Sequence, residues 1–140
     1  MVLSISRPIF AAVRRLHHIG FGRRRGIILL PDENLSVALN PMERTLYRLF
    51  LSHPEGIPSD GLPAYWQELC GIYEQESRFD DPPLREEALE SLCSESKRVF
   101  YANISRIKKK FVDILGVRGA KPYIIARDRT GLYRTKALLV

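Results

Sequence analysis

The sequence contains few of the residues that stabilise small domains covalently or through metals. Only two cysteines, Cys70 and Cys93, occur among its 140 residues, and they form neither a CxxC pair nor a Cys/His spacing. A chain of this length can bury roughly two-thirds of its unfolded surface, so a core can form without disulfides or a metal. We therefore expect two free thiols, no metal site and a reducing, cytoplasmic environment.

Long apolar runs and catalytic motifs are also absent. The longest apolar runs, residues 26–30 and 137–140, are far shorter than the ~20 residues of a membrane-spanning helix. The glycines form no phosphate-binding loop, and His17, His18 and His53 have no partner at a recognisable metal-ligand or relay spacing. The sequence thus predicts no membrane span, no cofactor and no catalytic residue, and it argues against an enzyme.

Acidic residues are missing from the first 30 positions and rare in the last 45. Residues 1–30 carry six arginines and a net charge of +6, whereas residues 31–95 carry −10. Residues 96–140 hold twelve basic residues and two acidic ones, giving +10. Positive charge on a shared surface drives most nucleic-acid affinity through counterion release, so this distribution favours a nucleic-acid partner over a merely solvated basic face.

The N-terminal segment, residues 1–25, mixes arginine and serine with short apolar stretches. It is interpreted as a basic arm preceding a domain of residues 26–140, although its composition also fits an organellar transit peptide. In the domain, short apolar runs on either side of residues 31–34 predict a β-hairpin. Asn40, Pro41 and Glu43 then form a helix start, with a cap, a proline at the first position and a capping-box carboxylate. This helix is expected to end near Ser52, with His53 in its terminator.

Two further helices are predicted before residue 95. Leu62 opens one with an apolar stripe interpreted as core, which comprises Tyr65, Trp66, Leu69, Ile72 and Tyr73. Residues 77–83 form a loop, and residues 84–92 a short acidic helix. The acidic segment of residues 74–95 is a candidate surface for a basic protein partner.

Residues 94–116 predict a long helix, with Ser94 as cap and Gly116 as stop. Its buried stripe comprises Phe100, Ile104, Ile107, Phe111 and Ile114, which recur at spacings of four, three, four and three. The opposite face is basic and contains small residues: Arg98, Ala102, Ser105, Arg106 and Lys109, flanked by Tyr101 and Lys108 on one side and Asn103 and Lys110 on the other. Such side chains can reach phosphates and base edges in a DNA major groove.

After this helix, residues 122–126 and 132–137 flank a polar turn and predict a hairpin whose tip and edges carry Arg127, Arg129, Arg134 and Lys136. The expected fold class is α+β. It is a winged helix-turn-helix with a three-helix core, an N-terminal β element and a C-terminal hairpin as the wing.

The chain resembles the OmpR/PhoB-type winged-helix domain of bacterial response regulators in two stretches. Residues 39–56, LNPMERTLYRLFLSHPEG, look like the opening of that family's first core helix, and residues 100–111, FYANISRIKKKF, look like its recognition helix. The same pair of stretches is also similar to stand-alone bacterial winged-helix proteins, a resemblance that implies no further activity.

The resemblance implies that the helix near residues 95–115 reads the major groove of double-stranded DNA. Its contacts would be Arg98, Ala102, Asn103, Ser105, Arg106 and Lys108, and an arginine of the 122–137 hairpin would enter the minor groove or meet the backbone. To these we add Lys109, Arg127, Arg129 and Arg134 from the basic surfaces. The expected function is a DNA-binding transcription regulator that could act as a homodimer.

Four features depart from the family. An arginine-rich arm stands in place of the phospho-acceptor receiver domain, and the loop before the recognition helix is longer and acidic. Asn103 replaces a histidine, and the hairpin lacks the compact Gly-x-Gly-Tyr ending. A winged-helix protein-interaction module without DNA binding is the alternative function. RNA binding through Tyr101 and Tyr133 is a third, although the sequence has neither the RRM nor the KH signature.

Overall fold

A computed structural model describes residues 17–21, 26–77 and 81–139. Within these residues the chain folds as α+β, as expected, with four α-helices and two sheets. None of the described helices has the length and apolar character needed to cross a membrane.

The predicted N-terminal hairpin is confirmed. Strands β2 (Ile27–Leu30) and β3 (Leu35–Ala38) pair antiparallel with Ile28 opposite Val37, and both of these side chains are buried. Residues 31–34 form the turn, in which Asn34 adopts a left-handed φ of 54°. Asparagine tolerates this conformation better than most residues, so the turn chemistry agrees with the fold.

The boundary between arm and domain is corrected by strand β1 (His18–Phe21). It pairs antiparallel with β2, and its Ile19 is fully buried, so residues 18–21 belong to the folded domain and not to a basic arm. On its other edge β1 pairs in parallel with β7 (Leu138–Leu139), which gives the sheet order β3-β2-β1-β7. The rest of the predicted arm, residues 1–16 and 22–25, lies outside the described residues.

Helix α1 (Pro41–Ser52) starts with the predicted capping box. The Asn40 side chain accepts a hydrogen bond from the Glu43 amide at 2.8 Å, and the Glu43 carboxylate accepts one from the Asn40 amide at 2.9 Å. His53 is the C-cap, as expected from the terminator. Of the predicted stripe, Leu46, Leu49 and Phe50 are fully buried and Met42 is half-buried.

The next two helices occupy the predicted places. A short 3₁₀ turn (Leu62–Tyr65) leads into α2 (Trp66–Glu76), whose Leu69 and Tyr73 are buried in the core. The Glu76 carboxylate accepts hydrogen bonds from the guanidinium groups of Arg44 and Arg48, each at 2.7 Å, and so fixes α2 against α1. Helix α3 (Pro82–Leu92) begins two residues earlier than predicted.

Helix α4 (Arg98–Ala120) is the long helix, but its start differs from the prediction. Ser94 is not its cap, because the Ser94 carbonyl accepts from the Lys97 amide in a separate turn and Lys97, at φ 57°, is the N-cap. The predicted stop coincides with a break in α4: Gly116 has a non-helical φ of 77° and ψ of 169°. Regular helix geometry therefore ends before Gly116, and a short second turn follows it.

The C-terminal hairpin is present with shorter arms than predicted. Strands β5 (Ala126–Arg127) and β6 (Leu132–Arg134) pair antiparallel around a turn in which the Asp128 carboxylate accepts from the amides of Thr130 and Leu132. A further strand that was not predicted, β4 (Ile57–Pro58), pairs with β6 and completes a sheet of order β4-β6-β5.

An aromatic part of the core joins α1, α4 and the segment that precedes β5. The rings of Phe111 and Tyr123 stack with centroids 5.7 Å apart, and the Tyr47 hydroxyl donates to the Tyr123 carbonyl at 2.6 Å. Burial raises the pKa of both phenols, that of Tyr123 to about 12. Of the predicted α4 stripe, Phe100, Ile107 and Phe111 are buried, whereas Ile114 is 47% exposed because the stripe extends past the core to the edge of β3.

Two glycines, Gly56 and Gly71, provide a matched pair of stability tests. Gly56 has φ 95°, and a Cβ there would lie 2.9 Å from the Leu132 Cβ, so we expect Gly56→Ala to destabilise the fold by about 2–4 kcal/mol. Gly71 lies in α2, and no other side chain or neighbouring element comes within 4 Å of the position that its Cβ would take, so Gly71→Ala should stabilise by about 0.5–1 kcal/mol. Urea unfolding of both variants measures the two changes, and changes of equal sign would contradict this account.

Candidate nucleic-acid interface

The outer face of α4 presents the basic surface that the sequence predicts. Arg98, Ser105 and Lys108 are exposed, and Ala102 is half-buried between them. Lys109 is also exposed and forms an ion pair with Asp113 at 3.1 Å. Arg98 and Lys108 form no ion pair among the described residues, so their charges are available to a ligand.

Asn103 lies on the wrong side of α4 for the predicted DNA contact. It is 1% exposed, and its side-chain amide donates to the Val99 carbonyl at 2.9 Å one turn earlier. Its side-chain oxygen is buried and has no hydrogen-bond partner among the residues that the structure describes. The helical position that was predicted as a flank is in fact covered by the core, so Asn103 cannot reach a base edge from this conformation.

Arg106 is exposed but is not free. Its Nε donates to the carboxylate of Glu43 at 3.3 Å, and Lys110 donates to the other oxygen of the same group. Glu43 itself is fully buried, so its charge is balanced by these two cations and by the Asn40 amide. Half of the Arg106 side chain remains exposed, which leaves its terminal nitrogens able to bind an anion.

An aromatic cluster joins the basic face of α4 to the C-terminal hairpin. The rings of Phe100 and Tyr133 meet edge to face at 5.2 Å, and the exposed Tyr101 lies 6.4 Å from Tyr133. Since Tyr133 is the central residue of β6, this packing fixes the hairpin beside the first turns of α4. The two basic surfaces predicted separately from the sequence are therefore adjacent.

The hairpin displays its arginines unequally. Arg127 and Arg129 are exposed and have no ion pair among the described residues. Arg134 is held by Asp128, with 2.5 Å between Nη2 and Oδ2. The hydrogen bond from the Thr130 hydroxyl, together with amide donors and Arg134, lowers the pKa of Asp128 to about 2, so this acid stays charged and keeps Arg134 in place.

Several residues of this surface were missing from the predicted contacts. Glu43 was recognised only as a capping residue, and no local pattern reveals that it also binds α4. Lys121 and Lys136 also lie beside the hairpin; the sequence placed Lys136 on the basic hairpin without counting it as a DNA contact, and for Lys121 the charge of the last 45 residues was the available signal.

Other candidate sites have structural explanations. The described residues contain no group of three side chains that could hold a metal ion. His53 caps α1 and lies between two carboxylates, with Nε2 2.9 Å from Glu68 and Nδ1 3.0 Å from Glu55. Cys70 and Cys93 are free thiols, and burial raises the pKa of each. A raised pKa disfavours the thiolate, so neither of these two thiols is activated as a nucleophile.

Comparison with protein-family models, with curated proteins and with solved structures found no significant match.

The buried ion cluster yields a stability prediction. Glu43→Gln keeps the capping hydrogen bonds but removes the charge that holds Arg106 and Lys110, so we expect a loss of about 1–3 kcal/mol. Lys109→Ala breaks an exposed pair of the same helix and should change stability by about 0.5 kcal/mol or less. Urea unfolding of the two variants measures the difference, and an equally small effect at Glu43 would show that the cluster does not hold α4.

His53 yields a pH prediction. Burial opposes its protonation, but the hydrogen bonds to Glu68 and Glu55 outweigh burial and raise the His53 pKa. The resulting stabilisation is fully present below the unfolded-state pKa of about 6.5 and is lost as the pH rises through the folded-state pKa. We expect the stability difference between the wild type and His53→Gln to shrink from pH 6 to pH 8 in urea unfolding. A difference that does not change with pH would contradict this assignment.

Proposed function

We propose that the protein binds double-stranded DNA and acts in the cytoplasm as a transcription regulator. The observation that carries the proposal is the adjacency of two basic surfaces, the α4 face and the β5–β6 hairpin, joined by the Tyr101–Tyr133 contact. Cations that share one surface neutralise successive phosphates and release counterions, whereas scattered cations do not. The acidic residues Glu86, Glu87 and Glu90 belong to a different element, α3.

We further propose that the arrangement is a winged helix-turn-helix. Two observations support this assignment: the long basic helix α4 is followed by a hairpin, and the sheet of that hairpin is completed by β4, which lies between α1 and α2 in the sequence. In it α4 enters the major groove, where the small side chains of Ala102 and Ser105 allow close approach. The hairpin would meet the adjacent backbone or minor groove through Arg127 and Arg129.

Arg106 has a defined place in this mechanism. The contact between its Nε and Glu43 restrains the side chain, so less rotamer freedom is lost when its terminal nitrogens bind a phosphate or a guanine. Asn103 has no part in the proposed contact, since it is buried.

The test is fluorescence anisotropy of a random-sequence duplex over a salt series. Arg98→Ala/Lys108→Ala removes two exposed cations of α4 that have no ion pair in the described part of the chain, so affinity should fall about tenfold or more and the salt slope by about two. Arg85→Ala, a charge change on α3, is the control and should have little effect.

Two results would refute the proposal: absence of duplex binding at low salt, or a folded double variant that binds as tightly as the wild type. Titration at stoichiometric concentrations distinguishes one protomer per duplex from two and so tests a homodimer.

A protein-interaction module is the second candidate, and the surface of α3 favours it. Glu86, Glu87 and Glu90 are exposed there together with Leu84, which is 58% exposed. A basic partner that is retained at high salt and released by Leu84→Ser, in a protein that does not bind the duplex, would support this function instead.

A further inference from the structure

A basic cleft of about 490 Å³ lies beside the hairpin, on the side of the segment that enters β5. Its volume falls within the range of roughly 300–1,000 Å³ that is typical of small-molecule sites. We call it the hairpin cleft, and its charged lining comprises Lys121, Arg127, Asp128, Arg129, Arg134 and Lys136.

Most of these cations have no counter-charge. Arg134 pairs with Asp128, whose carboxylate also accepts from Thr130 and Leu132 and is therefore fully engaged. No ion pair is formed by Lys121, Arg127, Arg129 or Lys136 within the described residues. Four like charges around one concave space repel each other, and a multivalent anion in that space would relieve the repulsion.

The cleft also has an apolar part. Pro122, Ile124 and Ala126 line it between the charged residues, and Ile124 packs against the hydrophobic core. Convergent charges beside an apolar wall are suited to a ligand that has both an anionic and an apolar part.

We propose that the hairpin cleft binds an organic phosphate, an anion of two or more charges joined to an apolar or aromatic group. The phosphate groups contact Lys121, Lys136 and the neighbouring arginines, and the organic group lies against Ile124 and Pro122. A whole duplex cannot enter a cleft of this size. Its backbone could reach the exposed Arg127 and Arg129, but only a compact organic ligand would also lie against the apolar wall. The proposal does not depend on DNA binding by α4.

The test compares one probe with its two halves by isothermal titration calorimetry. Adenosine diphosphate carries both features, inorganic pyrophosphate carries the charge alone, and adenosine carries the aromatic group alone. We expect adenosine diphosphate to bind at least tenfold more tightly than pyrophosphate, and adenosine to show no measurable binding. Lys121→Ala/Lys136→Ala alters cleft residues that are not among the proposed DNA contacts, and it should weaken adenosine diphosphate binding at least tenfold.

Arg98→Ala/Lys108→Ala removes the same charge from α4 and serves as the matched control, with an unchanged affinity for adenosine diphosphate expected. Equal losses in the two double variants would reveal general electrostatic attraction and overturn the proposal. Equal affinities for pyrophosphate and adenosine diphosphate would remove the role of the apolar wall and overturn it as well. The proposal is also overturned if none of the three probes binds at up to about 1 mM while the Lys121→Ala/Lys136→Ala variant loses affinity for the duplex. The cleft would then be a contact for the DNA backbone.

Discussion

The candidate interface depends on the ion pairs of one buried group, the carboxylate of Glu43. It belongs to the first turn of α1, yet it binds Arg106 and Lys110, which lie more than sixty residues later on α4. A buried charge is costly unless it is paired, so α4 must present this pair of cations toward α1. The same constraint sets the rotation of α4 and therefore decides which of its residues face outward. Lys110 is used for this purpose, while Arg98 and Lys108 remain available on the outer face.

The parts of the fold that could be predicted have local causes. The capping box of Asn40 and Glu43 specifies the start of α1 within four residues, and the turn at residues 31–34 brings two apolar strands together. The alternation of buried and exposed residues along α4 likewise follows from helical periodicity at Phe100, Ile107 and Phe111. In each case the signal lies within one element, so no knowledge of a distant partner is needed.

The parts that could not be predicted depend on residues far apart in the chain. Asn103 is at the edge of the apolar stripe, and only the position of the neighbouring elements decides that it is buried. The pairing of Arg106 with Glu43 and the formation of the two-residue strand β4 also depend on residues that are distant in the sequence. Pairings of this kind leave no periodicity in the sequence, and so the outer face of α4 could be predicted in outline but not residue by residue.

The strand pairings also have a consequence for the order of folding. Strand β1 closes on β7, joining His18 to Leu138, and β4 closes on β6, joining Ile57 to Tyr133. Bringing such distant segments together costs chain entropy before the strand contacts can offset that cost. These pairings therefore form slowly compared with helices. During synthesis on the ribosome, neither sheet can be completed until residues 132–139 have emerged. We infer that the helices form first and that the hairpin, which carries Arg127, Arg129 and Arg134, is among the last parts to reach its native position.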